Sequence, residues 1–257
     1  MTFLGAPPAV LGGPAMGLKT VGMVYEERAI HELIGRPDFV AAVKKNKNKL
    51  KGAKIFVTTL STGHFMTESC LQHLGVSQSD ITIIPSEQAS TVSAFSAGEG
   101  DLAQAWPPAT NALRARGNKT LCDAKMAGLS IPSVWVAHPK FAKKNPDLVE
   151  KWLKANLEAI AWIKKDPKRT FELYKKYDKY RGFETSEGVL REEAILAATA
   201  LSASEQVKLL SSQNGKKPSI VSSYEEIAKF YMRVGRLKKV PDYSGLVDGS
   251  YMKKLAN

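Results

Sequence analysis

The sequence predicts an α/β protein with enough chain for two cores, and three observations carry that expectation. The chain has 257 residues, long for one core and comfortable for two. Its middle third alternates short β-branched runs with helical stretches that end at glycine. From residue 139 onward the pattern turns helical and amphipathic. A composition of 44% hydrophobic and 24% charged residues is that of an ordinary globular chain and excludes a disordered, collagen-like or repeat-dominated one. Two cysteines, Cys70 and Cys122, are too few for a disulfide scaffold. No stretch approaches the roughly 18 apolar residues that a spanning helix needs.

Taken in order, residues 1–4 read as the end of a strand running into Gly5-Ala-Pro-Pro8, and residues 21–24 as another strand. Residues 55–59 form a β-branched run after the turn at Gly52. A helix over about 62–74 follows, closed by Gly75 where a C-terminal glycine is favoured. Residues 81–84 give the next strand, stopped by Pro85, then a helix over about 88–97 that ends at Gly98. Residues 102–106 are a third strand, after which Pro107 and Pro108 open a helix to about Arg116. Short strands at 120–122 and 133–137 complete the set. Strand–helix alternation with short connections implies a mostly parallel sheet covered by helices on both faces.

Asn145-Pro146-Asp147 is a strong helix start: a capping side chain, a proline at the first position, and an acid near the positive end of the dipole. Val149, Trp152, Leu153, Leu157 and Ile160 then recur at helical spacing as one apolar stripe. Asp166-Pro167 repeats the start signal for a helix to about Tyr177, and 193–201 and 224–234 are further amphipathic helices.

The formal net charge of +12 suggests a polyanion or an anionic surface as partner. Its distribution argues otherwise. Residues 1–51 carry +4, residues 52–132 carry −1, residues 139–181 carry +7 and residues 182–257 carry +2. The excess sits on helices whose opposite face is apolar, with no aromatic-and-glycine pattern of a single-strand reader. The run Lys44, Lys45, Lys47, Lys49, Lys51 ends a helical segment and suits a solvated face, so no nucleic-acid partner is expected.

Four ordered blocks carry a resemblance. They are Gly5-Ala-Pro-Pro-Ala9; Leu50-Lys-Gly-Ala-Lys-Ile55 followed by Ser61-Thr-Gly-His64; Gly100-Asp-Leu-Ala-Gln-Ala-Trp-Pro-Pro108; and Val134-Trp-Val-Ala-His138 followed by Lys144-Asn-Pro-Asp-Leu-Val149. In this order and spacing the chain resembles the substrate-binding proteins of ABC importers in the taurine, alkanesulfonate and nitrate group. The tail 242–248 is similar to theirs, so the likeness covers nearly the whole chain. It is specific for the family and weakly specific for the solute.

The resemblance implies a type II periplasmic-binding-protein fold, with two lobes joined by two crossing strands and the solute in the cleft. One lobe is then 52–132, the other 1–48 with 139–257, and the crossings lie near 49–54 and 133–138. Members begin with roughly two further βα units before the Gly5 block. The first lobe is therefore expected to lack its first two βα units and to leave a sheet edge uncovered. The resemblance further implies a periplasmic monomer that serves a membrane permease, with no catalysis, cofactor or metal. No secretory signal is read in these residues.

On that basis Ser61, Thr62, Gly63 and His64, where a strand end turns into a helix N-terminus, form an anion site. The hydroxyl of Thr59 adds a donor, and glycine permits close approach to the backbone. The same residues also suit plain N-capping. Ala6, Pro7 and Pro8 repeat the geometry from the other lobe, or simply make a turn. Trp106 and Pro107 end a strand at the same edge, where the indole either meets the solute or packs its lobe. Tyr25 and Glu26 follow the strand at 21–24 and suit an amine such as that of taurine, although Glu26 fits a solvated helix start equally well. Glu87 is a weaker candidate of the same kind.

His31, His64, His73 and His138 lack metal-ligand spacing, and the cysteines form no CxxC. An oxidising compartment could pair Cys70 with Cys122, but helix and strand positions often point apart and the sequence leaves this open. Two relations of the same fold compete with sulfonate or nitrate binding. One is a binding protein for a thiamine-pyrimidine precursor or aromatic carboxylate. The other is the pyrimidine-precursor synthase, an enzyme whose cysteine-rich segment has no counterpart here.

Overall fold

A computed structural model describes residues 1–28, 30–181 and 185–256. The chain divides into two compact units, Met1–Tyr25 with Pro132–Asn257 and the contiguous Glu26–Ile131. The first unit opens with β1 (Thr2–Gly5), which enters α1 (Ala6–Met16) directly. Gly17, at φ +65°, ends that helix in the left-handed conformation and turns the chain into β2 (Lys19–Glu26).

The second unit runs β3 (Glu32–Gly35), α2 (Pro37–Lys45), β4 (Lys54–Val57), α3 (Thr62–His73) and β5 (Thr82–Pro85). It continues through α4 (Gln88–Ser96), β6 (Leu102–Ala105), α5 (Ala109–Ala115) and β7 (Lys119–Asp123). The chain then returns through β8 (Pro132–Ala137), α6 (Pro139–Lys144), α7 (Pro146–Lys165), α8 (Pro167–Arg181) and α9 (Glu187–Ala197). It closes with α10 (Ala203–Leu210), α11 (Ser219–Arg233) and α12 (Ser250–Leu255). No helix among the described residues is long and apolar enough to cross a membrane.

The second unit is built on a five-stranded sheet in the order β5-β4-β6-β3-β7. β4 is parallel to β5 and β6, whereas β3 is antiparallel to β6 and β7. The sheet is therefore more mixed than the alternation implies, because a strand too short to announce itself lies inside it. Glu32-Leu-Ile-Gly35 has two apolar residues between an acid and a glycine, less than a periodicity signal requires. It nonetheless pairs on both sides, with Leu33 opposite Gln104 on one flank and Cys122 on the other.

β3 also corrects the lobe boundary. Residues 27–48 were expected with the first lobe and the first crossing near 49–54. The ladder claims β3, and α2 packs against β7 through the buried Val40 and Val43, so the crossing falls at Tyr25–Glu26. With the boundary there, the first unit carries a net +10 and the second +2.

Cys70 and Cys122 are joined in a disulfide that ties α3 to β7 over a separation of 52 residues. On the opposite face of the sheet, Ile34, Phe56, Ala103 and Ala105 pack against Phe95 of α4 and Leu113 of α5.

In the first unit, β8 lies between β1 and β2, antiparallel to β1 from Thr2 opposite Val136 to Gly5 opposite Ser133. Trp135 of β8 meets Trp152 of α7 edge-on at 5.5 Å, which confirms the apolar stripe as core. The helix start at Asn145 differs in one detail: its amide donates back to the Phe141 carbonyl at 3.2 Å and leaves the helix without a side-chain cap. Asp166 does cap α8, accepting from the Arg169 amide at 2.9 Å. Three fully buried tyrosines, Tyr224, Tyr231 and Tyr243, anchor the helical part. Tyr224 shares a 2.7 Å hydrogen bond with Thr20, and Tyr243 donates to the Val10 carbonyl at 3.2 Å.

Candidate functional site

Three parallel strands, β4, β5 and β6, end on one edge of the second unit's sheet, and the N-terminus of α3 begins there. An open α/β sheet offers its ligand crevice at such an edge. The edge is held together by polar side chains. Thr58 Oγ1 donates to the Ser86 carbonyl at 2.8 Å and accepts from Gln88 Nε2 at 3.1 Å. Gln88 Nε2 also reaches the Gln104 carbonyl at 3.3 Å, while Gln88 Oε1 accepts the Trp106 amide at 3.2 Å. Thr58 and Gln88 together thus tie the ends of all three strands.

At the head of α3, Ser61 Oγ donates to the Thr58 carbonyl at 2.6 Å and accepts from the amides of Gly63 and His64 at 3.1 and 3.3 Å. This is the N-cap that the sequence allowed, and it engages two of the donors expected for an anion. The Ser61 and Thr62 amides are those the cap does not take. His64 Nδ1 accepts from the amide of Leu60, which itself adopts φ +62°, so Nε2 carries the ring proton. Burial lowers the His64 pKa below its ordinary value and keeps the ring neutral. Thr62 is buried and Thr59 exposed; Trp106 and Pro107 are half-buried at the end of β6.

Gly63 corrects the expectation that glycine admits a solute to the backbone. The room it leaves is filled from within: a Cβ built there would lie 2.0 Å from Nε2 of Gln104 and 2.3 Å from its Oε1. Glycine at this position is what lets the Gln104 amide lie against α3.

Glu26 finds partners within its own unit for both carboxylate oxygens. Its Oε1 accepts from Ser130 Oγ at 3.0 Å and its Oε2 from the Ile131 amide at 2.8 Å, and Arg28 stands 3.7 Å away. With the Glu27 amide donating to the Ile131 carbonyl at 2.8 Å, the carboxylate staples the two ends of the second unit together. Glu87 is exposed at the cap position of α4 and makes no side-chain cap bond.

Ala6, Pro7, Pro8 and Tyr25 belong to the first unit. Ala6 and Pro7 are buried and Pro8 exposed in the first turn of α1. Two prolines remove two of the amide donors a helix start would offer, so this N-terminus is a poorer anion binder than that of α3. Tyr25, near the end of β2, rests on Phe3 with ring centroids 6.0 Å apart.

Sequence reasoning missed Gln88, Gln104 and His31. His31 precedes β3, its Nε2 2.8 Å from Glu27 Oε2 and its ring edge-on to Trp106 at 5.5 Å. Next to it, Glu32 is buried and bound to Arg114 and Thr120 Oγ1, each at 2.5 Å. Gln104 and His31 are single polar residues beside apolar ones and Gln88 lies in a polar stretch, so none stands out by pattern. No group of three His, Cys, Asp or Glu side chains among the described residues gathers as metal ligands.

A protein-family profile described as NMT1/THI5 like matches residues 29–170, more than half of the chain. Among curated proteins, the taurine-binding periplasmic protein of Escherichia coli (strain K12) is 33% identical over 123 residues, which are 46% of this chain. The matched stretch spans 38% of that relative's length. The putative aliphatic sulfonates-binding protein of Bacillus subtilis (strain 168) is 27% identical over 252 residues, 95% of this chain and 69% of the relative. Among solved structures, the alkanesulfonate-binding protein SsuA from Xanthomonas axonopodis pv. citri, bound to MOPS, superposes with a TM-score of 0.74 at 19% identity. That alignment covers 96% of this chain and 79% of the other, and it shows a shared fold.

Proposed function

The chain belongs to the NMT1/THI5-like family, and from that premise we propose that it is the solute-binding component of an ABC importer. Its solute is a small anion of the sulfonate class, held at the strand-end edge of the second unit and passed to a membrane permease in the periplasm. The protein works as a monomer and without catalysis. The observation that carries this is the meeting of three parallel strand ends with the start of a 12-residue helix, where backbone amides and the helix dipole favour negative charge. Trp106 supplies an apolar wall beside that start. Two curated relatives named for taurine and aliphatic sulfonates support the solute class. Both cysteines are engaged in the disulfide, so neither offers a thiol nucleophile, which supports binding over catalysis.

Isothermal titration with taurine, alkanesulfonates, nitrate, an aromatic carboxylate and an aminopyrimidine tests the assignment. Sulfonates should bind, and Trp106→Ala should weaken them by about tenfold or more, the loss expected of a buried aromatic contact. Binding of the pyrimidine alone, or sulfonate affinity untouched by Trp106→Ala, would remove it.

A further inference from the structure

Gln104 has a side chain that the arrangement above leaves unused. The residue is 0% exposed, and neither Nε2 nor Oε1 of its amide has a hydrogen-bond partner. The amide lies against Gly63, in the first turn of α3. Burying both ends of an amide unpaired is costly, so the fold carries an unfavourable group beside the helix start. Local departures of this kind from consistent packing concentrate at functional positions.

A second group stands close by. His31 is 5% exposed, and its Nδ1 has no partner. Its Nε2 faces the Glu27 carboxylate at 2.8 Å, which leaves Nδ1 as the ring nitrogen without a partner. The β3–β6 register places Leu33 opposite Gln104 and Glu32 opposite Ala105, so His31 falls beside Trp106. Side chains alternate along a strand, so Gln104 and His31 share one sheet face as diagonal cross-strand neighbours, roughly 7 Å apart. Leu33 and Cys122 lie on that face too, and the disulfide shows that α3 covers it.

We infer that Gln104 is a specificity-determining residue, selecting solutes that carry an amine beside their anionic group. This rests on the sheet-edge site proposed above. Gln104 Oε1 is an acceptor that an ammonium group satisfies, with the imidazole of His31 beside it, while Gln104 Nε2 adds a donor to those of the α3 N-terminus. A sulfonate ending in a methyl group answers the donor and leaves the Gln104 acceptor unpaired. A site built around buried hydrogen-bonding groups rejects the analogue that lacks the matching group far more strongly than a site built on shape.

Taurine and propane-1-sulfonate form the matched pair, differing by ammonium against methyl. Titration of the wild-type chain should favour taurine by at least about tenfold. In Gln104→Met, which conserves volume, the ratio should fall below about threefold while the melting temperature stays at or above that of the wild type. Should that variant fail to fold, Gln104→Leu is the second arm, with the same expected fall in the ratio. If both solutes bind the wild type equally and Trp106→Ala weakens both, the role of Gln104 is overturned and the sheet-edge site stands. If neither solute binds the wild type, both fall together.

Discussion

The two units differ in how completely their buried polar side chains are paired. In the first, Thr20 is matched to Tyr224, Tyr243 to the Val10 carbonyl, and the fully buried Gln206 to the Met23 amide and the Leu201 carbonyl, both at 2.9 Å. Ser211 Oγ departs from this pattern. In the second, polar atoms of Gln104, His31, Thr91 and Thr110 are buried without partners. The charge follows the same division. The first unit carries +10, and the second, which holds the unpartnered Gln104 amide, is near neutral at +2. A buried glutamine is structural when its amide is answered, as at Gln206, and a candidate for recognition when it is not, as at Gln104. The second unit tolerates that cost beside a covalent cross-link, which the first does without among the described residues.

The largest expected difference between the units comes from that cross-link. Closing a loop of this length restricts the unfolded chain, and replacing both Cys70 and Cys122 with alanine should destabilise the second unit by about 2–4 kcal/mol. Hydrogen exchange read peptide by peptide should show α3 and β7 losing protection while α11 keeps it. Equal loss in α11 would break the contrast. A smaller effect distinguishes two helix caps. Ser61→Ala removes a bond to the Thr58 carbonyl and two to amides in a half-buried setting, and should cost about 1–2 kcal/mol in urea unfolding. Ser202→Ala opens the capping box of α10, where Ser202 and Glu205 bond each other at an exposed position, and should cost about 1 kcal/mol or less.

The smallest effect is a difference in acid response. Burial depresses the folded-state pKa of His64, so the unfolded chain binds the proton first. The stability this histidine contributes is complete above pH 6.5 and is lost as pH falls below it through the folded value. Glu205 in the first unit is held down to about 2 by the Ser202 hydroxyl and amide and by Lys164. Its contribution is complete above pH 4.5 and is lost only as pH falls toward 2. Between pH 7 and pH 5 the second unit should therefore weaken while the first holds. Urea titrations at the two pH values, followed through the methyl resonances of Val57 and Val221, check this. His64→Gln should flatten the response of Val57 and leave that of Val221 unchanged.

Much of the fold was legible because its signals are local. The α3 helix ends at His73, Leu74 caps it, and Gly75 adopts φ +75°, as the glycine implied. Pro146 opens α7 and Pro167 opens α8 at the positions the cap signals marked. The site was less legible. Ser61 was found because a hydroxyl before a helix is a local pattern, and its two amide bonds follow from the backbone geometry of the helix start. The partners of Glu26 were not legible because Ser130 and Ile131 lie more than a hundred residues away. Gln104 escaped notice because a single polar residue in the run Leu102–Ala105 has no period of its own.

The sequence by itself determined the class of the elements, their order, and a resemblance in four blocks that the family match bears out. Each of these depends on residues within a few turns or strand lengths of one another. The tertiary structure alone decided that β3 enters the sheet between β6 and β7, that Cys70 meets Cys122, and that Gln104 fills the space beside Gly63. Those outcomes depend on pairings across 40 to 100 residues, on which strand lies beside which, and on which face of the sheet a side chain takes. No periodicity within a short window contains them, because cross-strand register is fixed only when the whole sheet closes.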